Sequence, residues 1–239
     1  MSKRDRESTC IPKILVVDNN AQTANMLRTA LSSQGYLPHV SANGVEGMIA
    51  AREWQPDLVM IDVSMPKMNG IELCRQLREI SEIPIIVLSN RVREHTQIKA
   101  LDAGADDYIT TPFSLRELSA RVRVQLRRHP PNRIGAPGVL VVGDFRIDAR
   151  QHRVIIRDRV IRLTPLEFDL LLCFAKHPGQ VLRHRAILQE IWGIDEDRPE
   201  HLRVYIGQLR KKIECSDVPR YIVTELSIGY RFCASGTDV

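Results

Sequence analysis

The apolar positions in the first half of the chain fall in short, uninterrupted blocks. Ile14–Val17, Leu58–Ile61 and Ile85–Leu88 are four-residue runs without a polar group, rich in Val and Ile. Such runs suit strands buried on both faces of a parallel sheet. Between them the pattern changes to amphipathic, and it predicts helices over Ala21–Ser33, Gly44–Glu53, Gly70–Glu79, Glu94–Asp102 and Leu115–Arg128. Two weaker strands fit at Pro38–Val40 and Asp107–Ile109. A β-α unit repeated five times predicts an α/β domain, a doubly wound sheet of five parallel strands.

The stretch HPPNRIGAPG, residues 129–138, ends this pattern. Its prolines and glycines can continue neither a helix nor a central strand, and Arg127-Arg128 just before it suits a helix C-terminus. We therefore expect a first domain over 12–128, a linker over 129–138 and a second domain over 139–234. In the second domain, residues 139–163 read as short strands with turns. Thr164-Pro165 is an N-cap with proline at the first helical position, opening a helix LEFDLLLCFAKH. Further helices are predicted at Arg185–Ile191 and Glu200–Glu214. A terminal hairpin, Arg220–Thr224 with Tyr230–Cys233, completes an α+β winged-helix module.

Composition changes this picture little. The 239 residues contain 44% hydrophobic and 26% charged residues, which excludes disordered and fibrous classes. No run approaches the ~18 apolar residues of a membrane span, and no apolar segment follows the charged start at Met1–Arg6, so no secretory signal is expected. The net charge is +5, shared almost evenly between the halves, so any argument for an anionic partner must rest on local clusters. Cys10, Cys74, Cys173, Cys215 and Cys233 include no C-x-x-C, and they read as reduced thiols of a cytoplasmic protein.

In a parallel α/β sheet, ligands bind beyond the C-terminal strand ends. Asp18 and Asn19 end the first strand, Asp62 the third and Ser89 the fourth, and Thr110-Thr111-Pro112 follows the fifth. One such residue would be an ordinary cap or turn, but convergence from four strands points to a site. VVDNN, the segment DVSMPKMNG at Asp62–Gly70, LSN at Leu88–Asn90 and GADDYITTPF at Gly104–Phe113 resemble the receiver domain of bacterial response regulators. The resemblance implies that Asp62 is the phosphoacceptor of a histidine kinase. It implies an acidic pair that binds Mg²⁺, a Ser89 hydroxyl that meets the phosphoryl group, and a lysine before a cis-proline that clamps it. Tyr108 stands where the family often has a switching aromatic, with plain packing as the alternative.

Two positions depart from the family. The acidic pair is Asp18-Asn19, and Thr111 replaces the lysine. Mg²⁺ prefers hard anionic oxygens, and phosphoryl transfer relies on electrostatic stabilisation. Asp18 and Asp62 then make at most a weak Mg²⁺ site, and no cofactor is required. We expect a regulator that works with little or no aspartate phosphorylation. The alternative is a conventional two-component regulator phosphorylated at Asp62.

The helix PEHLRVYIGQLRKKIE sets Leu202, Ile206, Leu209 and Ile213 on one apolar stripe. Arg203, Gln208, Arg210, Lys211 and Lys212 lie outside it, where cations can neutralise phosphates and Gln can read a base edge. A solvated basic face is the plainer alternative for this helix taken alone. LTPLEFDLLLCFAKHPGQVLRHRAILQEIWG and RYIVTELSIGYRF, however, closely resemble the effector domain of the OmpR/PhoB winged-helix family, and HLRVYIGQLRKKIE is similar to its potassium-regulator branch. The resemblance implies a recognition helix in the major groove and a wing, including Thr224, that touches the minor groove or phosphates. Many members have Arg at the Gln208 position, and the wing T-x-R-G-x-G-Y here reads T-E-L-S-I-G-Y.

The expected function is therefore a DNA-binding transcriptional regulator, not an enzyme and not membrane-bound. Its expected partners are double-stranded promoter DNA, a second copy, and a histidine kinase or another regulatory protein as input. Family members pair through the fourth and fifth receiver helices, which here would use Asp106, Asp107 and Glu117 with Arg121 and Arg128. Gln97 replaces the usual basic partner, so one pair is lost. An aspartyl-phosphate phosphatase is disfavoured because position 64 is Ser64 and no phosphate-binding loop is present. A pure adaptor is disfavoured by the intact basic helix.

Overall fold

The computed structural model describes residues 11–90, 94–128, 138–193, 199–214 and 220–235. Of the expected linker only Gly138 falls among them, and Cys10 and Cys215 lie outside.

The first domain runs β1 (Lys13–Val17), α1 (Ala21–Ser33), β2 (Leu37–Ser41), α2 (Gly44–Trp54), β3 (Leu58–Asp62), α3 (Gly70–Ile80), β4 (Ile85–Ser89), α4 (Glu94–Asp102), β5 (Asp107–Thr110) and α5 (Leu115–Arg128). Its sheet has the order β2-β1-β3-β4-β5, all parallel. Alternation along the strands divides the core in two. Ile14, Val16, Leu58, Met60, Ile86, Leu88 and Ile109 pack on Leu27 and Leu31 of α1 and on Leu118, Val122 and Leu126 of α5. Leu15, Val17, Val59, Ile61, Ile85, Val87 and Tyr108 pack on the other side with Leu73, Cys74 and Leu77 of α3 and Leu101 of α4. Both faces are covered, which is why the strands read as unbroken apolar runs. Asn20, Asn43 and Asn69 cap α1, α2 and α3 with their side-chain oxygens, satisfying N–H groups that the first turn leaves unpaired.

The second domain begins with a four-stranded antiparallel sheet, β6 (Val139–Val142), β7 (Phe145–Asp148), β8 (Arg153–Ile156) and β9 (Arg159–Ile161). Helix α6 (Pro165–Ala175) opens on a full capping box. Glu167 N–H donates to Thr164 Oγ1, and Thr164 N–H donates to Glu167 Oε2. Then come β10 (Val181–Arg183), α7 (His184–Trp192), α8 (Pro199–Ile213) and the hairpin β11 (Ile222–Glu225) and β12 (Gly229–Phe232). The last sheet has the order β10-β12-β11, so the expected hairpin is joined by a short third strand that was not anticipated. Phe168 and Trp192 lie in the core, and Cys74, Cys173 and Cys233 are free and buried. The apolar cluster on the α3–α4 side of the first domain also takes in Leu202, Tyr205 and Trp192 of the second. No helix among the described residues is long and apolar enough to cross a membrane.

Candidate phosphoacceptor pocket and DNA-binding face

The parallel register brings the pocket residues to one sheet edge. Val17 is level with Ile61, Asp62 with Leu88, and Ser89 with Thr110. Asp62 therefore ends β3 between Asp18, which follows β1, and Ser89, which ends β4. Asp18 is buried, and its Oδ1 accepts from Asn20 N–H at 2.7 Å. Asn20 in turn caps α1, so the carboxylate is held by the turn that starts the helix. Asp62 is half-buried, and its Oδ2 accepts from Ser64 N–H at 2.8 Å. Gly70 is required behind it. Its N–H donates to Val63 O at 3.1 Å, and a Cβ there would come within 2.2 Å of Asp62 O. Ser89 is fully buried, and Thr111 N–H donates to its carbonyl at 2.8 Å. Thr111 precedes a cis peptide bond to Pro112, and it is partly exposed at the position where the resemblance implies a lysine. The Tyr108 ring is buried in the core.

Burial pushes the Asp62 carboxyl above its ordinary range, opposed by the N–H groups of Ser64 and Val63. Burial also raises Asp18, opposed by Asn20 N–H, and the neighbouring Asp62 charge raises it further. Among the described residues neither carboxylate forms an ion pair. No group of three His, Cys, Asp or Glu is arranged there to hold a metal. Two carboxylates, each with one oxygen already accepting a backbone N–H, and a neutral amide at Asn19 fit Mg²⁺ poorly.

On α8 the residues expected at DNA divide into two sets. Arg203 and Lys211 are exposed. Gln208, Arg210 and Lys212 are engaged within the chain. Arg210 donates to Ile222 O and, at 2.8 Å, to Thr224 Oγ1, and it lies over the Tyr230 ring. Lys212 pairs with the buried Glu167. Gln208 Nε2 donates to Leu101 O at 2.7 Å, at the C-terminal end of α4.

That last bond belongs to a docked interface between the two domains. Tyr205 Oη donates to Ala105 O at 2.7 Å. His201 Nε2 lies 3.3 Å from Gln97 Oε1. Leu166 N–H, in the first turn of α6, donates to Asp106 Oδ1 at 3.2 Å. Asp106 is fully buried and pairs with Arg78 of α3, while its Oδ2 also accepts from Ile85 N–H. Arg121, also buried, bonds Asp107 at 2.9 Å and Glu117 at 3.2 Å in the same chain. The charges expected to pair across two copies are thus satisfied within one, and Asp106 takes Arg78 rather than an α5 arginine. The Arg128 side chain lies outside the described set. Sequence reasoning missed Tyr205, His201 and the Asp106–Leu166 bond. A signal was present: the buried face of α8 includes His201, Leu202, Tyr205, Ile206, Leu209 and Ile213, wider than one partner requires.

The comparisons with known proteins agree with this architecture. Residues 14–123 match the response regulator receiver domain, and residues 158–232 match the C-terminal domain of transcriptional regulatory proteins. The chain is 40% identical over 222 residues to the KDP operon transcriptional regulatory protein KdpE of Escherichia coli strain K12, covering 92% of this chain and 98% of that protein. It is 38% identical over 221 residues to the DNA-binding response regulator MtrA of Mycobacterium tuberculosis strain H37Rv, covering 92% and 96%. A solved structure of a RitR mutant superposes with a TM-score of 0.73 over 92% of this chain and 98% of its own, and at 23% identity it speaks to the fold alone. Both domains match in the same order and along nearly the whole chain, so this protein belongs to the OmpR/PhoB family of DNA-binding transcriptional response regulators.

Proposed function

We propose that this regulator binds promoter DNA through α8 and the wing, and that phosphorylation of Asp62 contributes little to its control. The observation that carries the second clause is the pocket. Thr111 and Asn19 stand where a cation and a second carboxylate would support phosphoryl transfer. The Asp62 and Asp18 carboxylates have no ion-pair partner among the described residues. A phosphoryl group on Asp62 would carry about −1.5 to −2 charge in place of the carboxylate's single negative charge, and it shifts an equilibrium only by its differential interaction with the two states. Without a clamping cation that difference shrinks.

Control then falls to the release of α8. The Gln208 amide proposed to read a base is bonded to Leu101 O in the docked chain, so DNA and the α4–β5 face compete for it. The same docking engages Asp106, proposed for pairing between two copies, so the docked monomer and the paired form are alternatives. A protein partner binding the α4–β5 face, or a rise in the regulator's own concentration, would favour release. The chain acts in this reading as a transcription factor rather than an enzyme.

The conventional reading keeps one observation in its favour: Asp62 remains partly exposed at the sheet edge with Ser89 on the next strand. Intact-mass measurement after incubation with acetyl phosphate and millimolar Mg²⁺ separates the two. Little adduct on Asp62 is expected, and stoichiometric adduct would restore the conventional reading.

A further inference from the structure

A recess of about 460 Å³ opens between β2 and α2, at the sheet edge far from β5 and the docked second domain. Its volume is that of a small-molecule site. Glu46, Ile49, Ala50 and Glu53 recur at helical spacing and line it as one stripe of α2. A stripe at that spacing ordinarily faces a core, yet here Ile49 is 51% exposed and an acid stands at each end. His39 of β2 and Trp54 add aromatic walls, their ring centroids 5.2 Å apart. Lys13 steadies the indole: its ammonium donates to Trp54 O at 3.1 Å and lies 5.5 Å from the ring centroid. No Lys or Arg is among the residues that line the recess.

The two carboxylates set what the recess takes. Glu53 is exposed and forms no ion pair among the described residues. Glu46 accepts from Ala42 N–H at 3.2 Å and from Asn43 Nδ2 at 2.8 Å, neutral donors that leave its charge uncompensated. Two helical turns separate the acids, about 10 Å along the axis. Between them the stripe offers only the aliphatic Ile49 and Ala50. A complementary ligand therefore has a cation at each end, about that far apart, and an aliphatic stretch between. One cation alone satisfies one acid, and an anion meets two repulsions. An ammonium at Glu53 also lies beside the Trp54 ring, whose face attracts cations.

Both walls of the recess touch the phosphoacceptor pocket. Ser41, a buried lining residue, accepts at its carbonyl from Asp18 N–H at 3.1 Å. At its N-terminus α2 packs on the loop that follows Asp62, where a Cβ on Gly44 would come within 2.9 Å of the Met68 side chain. We propose that the recess binds an aliphatic diamine or polyamine, with one ammonium at Glu46 and one at Glu53, and that its occupancy is felt at Asp18. The site goes beyond the DNA-binding and phosphorylation readings and depends on neither.

The test titrates the isotopically labelled full-length protein, followed by NMR, with octamethylenediamine and spermidine. Putrescine, octylammonium and suberate control for length, for the second charge and for its sign. Trp54→Phe tells the indole N–H signals of Trp54 and Trp192 apart. The two long amines are expected to give saturable shifts of the Trp54 indole and the Asp18 amide. Binding should be several-fold weaker for putrescine and octylammonium, absent for suberate, and weakened by salt. Glu53→Gln, a change at an exposed position, should lower affinity several-fold and remove the preference for octamethylenediamine over octylammonium. No saturable shift at Trp54 with either long amine would overturn the site. So would equal affinity for octylammonium and octamethylenediamine, or wild-type affinity in Glu53→Gln. A Trp54 response without one at Asp18 would overturn the link to the phosphoacceptor pocket.

Discussion

Replacing Tyr205 by Phe removes one hydroxyl from the docked interface and leaves the ring that packs 5.6 Å from Trp192. Tyr205 is 2% exposed, and its hydroxyl donates to Ala105 O at 2.7 Å. Burial, reinforced by the Asp106 and Asp107 carboxylates, holds the phenol well above its ordinary range, so it is a donor at neutral pH. In the variant, Ala105 O is left buried without this donor. Leaving a buried acceptor unsatisfied costs about 1–3 kcal/mol, or about 5- to 150-fold in an equilibrium. The cost falls only on the docked state, because water can replace the hydroxyl once the domains separate. If docking withholds α8, apparent DNA affinity scales with the undocked fraction and should rise by about tenfold while the docked form dominates. Fluorescence anisotropy with a selected duplex measures the affinity, and hydrogen exchange of α8 amides measures release. Unchanged affinity together with unchanged α8 protection would refute the idea that docking limits DNA binding.

Thr164→Ala removes the side-chain half of the capping box and should cost about 0.5–2 kcal/mol, lowering Tm by about 2–4 °C per kcal/mol in a calorimetric scan. Lys211→Ala, at an exposed position, should weaken binding to all duplexes alike and reduce the salt slope by about one, with no change in base preference. Asp144 is held below the ordinary carboxylate value chiefly by its bond from Arg157, with Tyr221 adding. Its stabilisation is therefore present above about pH 4 and lost as pH falls below it, so the urea midpoint of wild type should fall more steeply than that of Asp144→Asn between about pH 5 and 3.

Most of the first domain was legible because its signals are local. An apolar quartet such as Ile85–Leu88 needs two covered faces, and the amphipathic stretches between the quartets have the period of helices packed on them. β10 was not legible: Val181–Arg183 is three residues long and becomes a strand only because β12 lies beside it. The pocket residues could be placed at one edge because the parallel register aligns strand ends. The partners of polar residues elsewhere could not. Asp106 reads as a surface charge in GADDY, yet it is buried against Arg78, 28 residues away, and against the first turn of a helix in the other domain. Gln208 reads as a groove contact, yet in the docked chain it caps the carbonyl end of α4. Sequence marks such side chains as needing partners without saying which, because those partners are set by tertiary contact. The width of the α8 stripe, through Tyr205 and His201, was the one sequence signal that a second surface exists.

The claim that control needs little aspartate phosphorylation is tested most directly by promoter occupancy in cells. The chromosomal copy would carry Asp62→Ala and be expressed at its normal level, and occupancy would be read by genome-wide footprinting under growth conditions that change it in the wild type. The pocket, with Asn19 and Thr111 in place of an acid and a cation, predicts near-wild-type occupancy and a preserved response. Loss of the response in Asp62→Ala, with protein levels unchanged, would contradict the account.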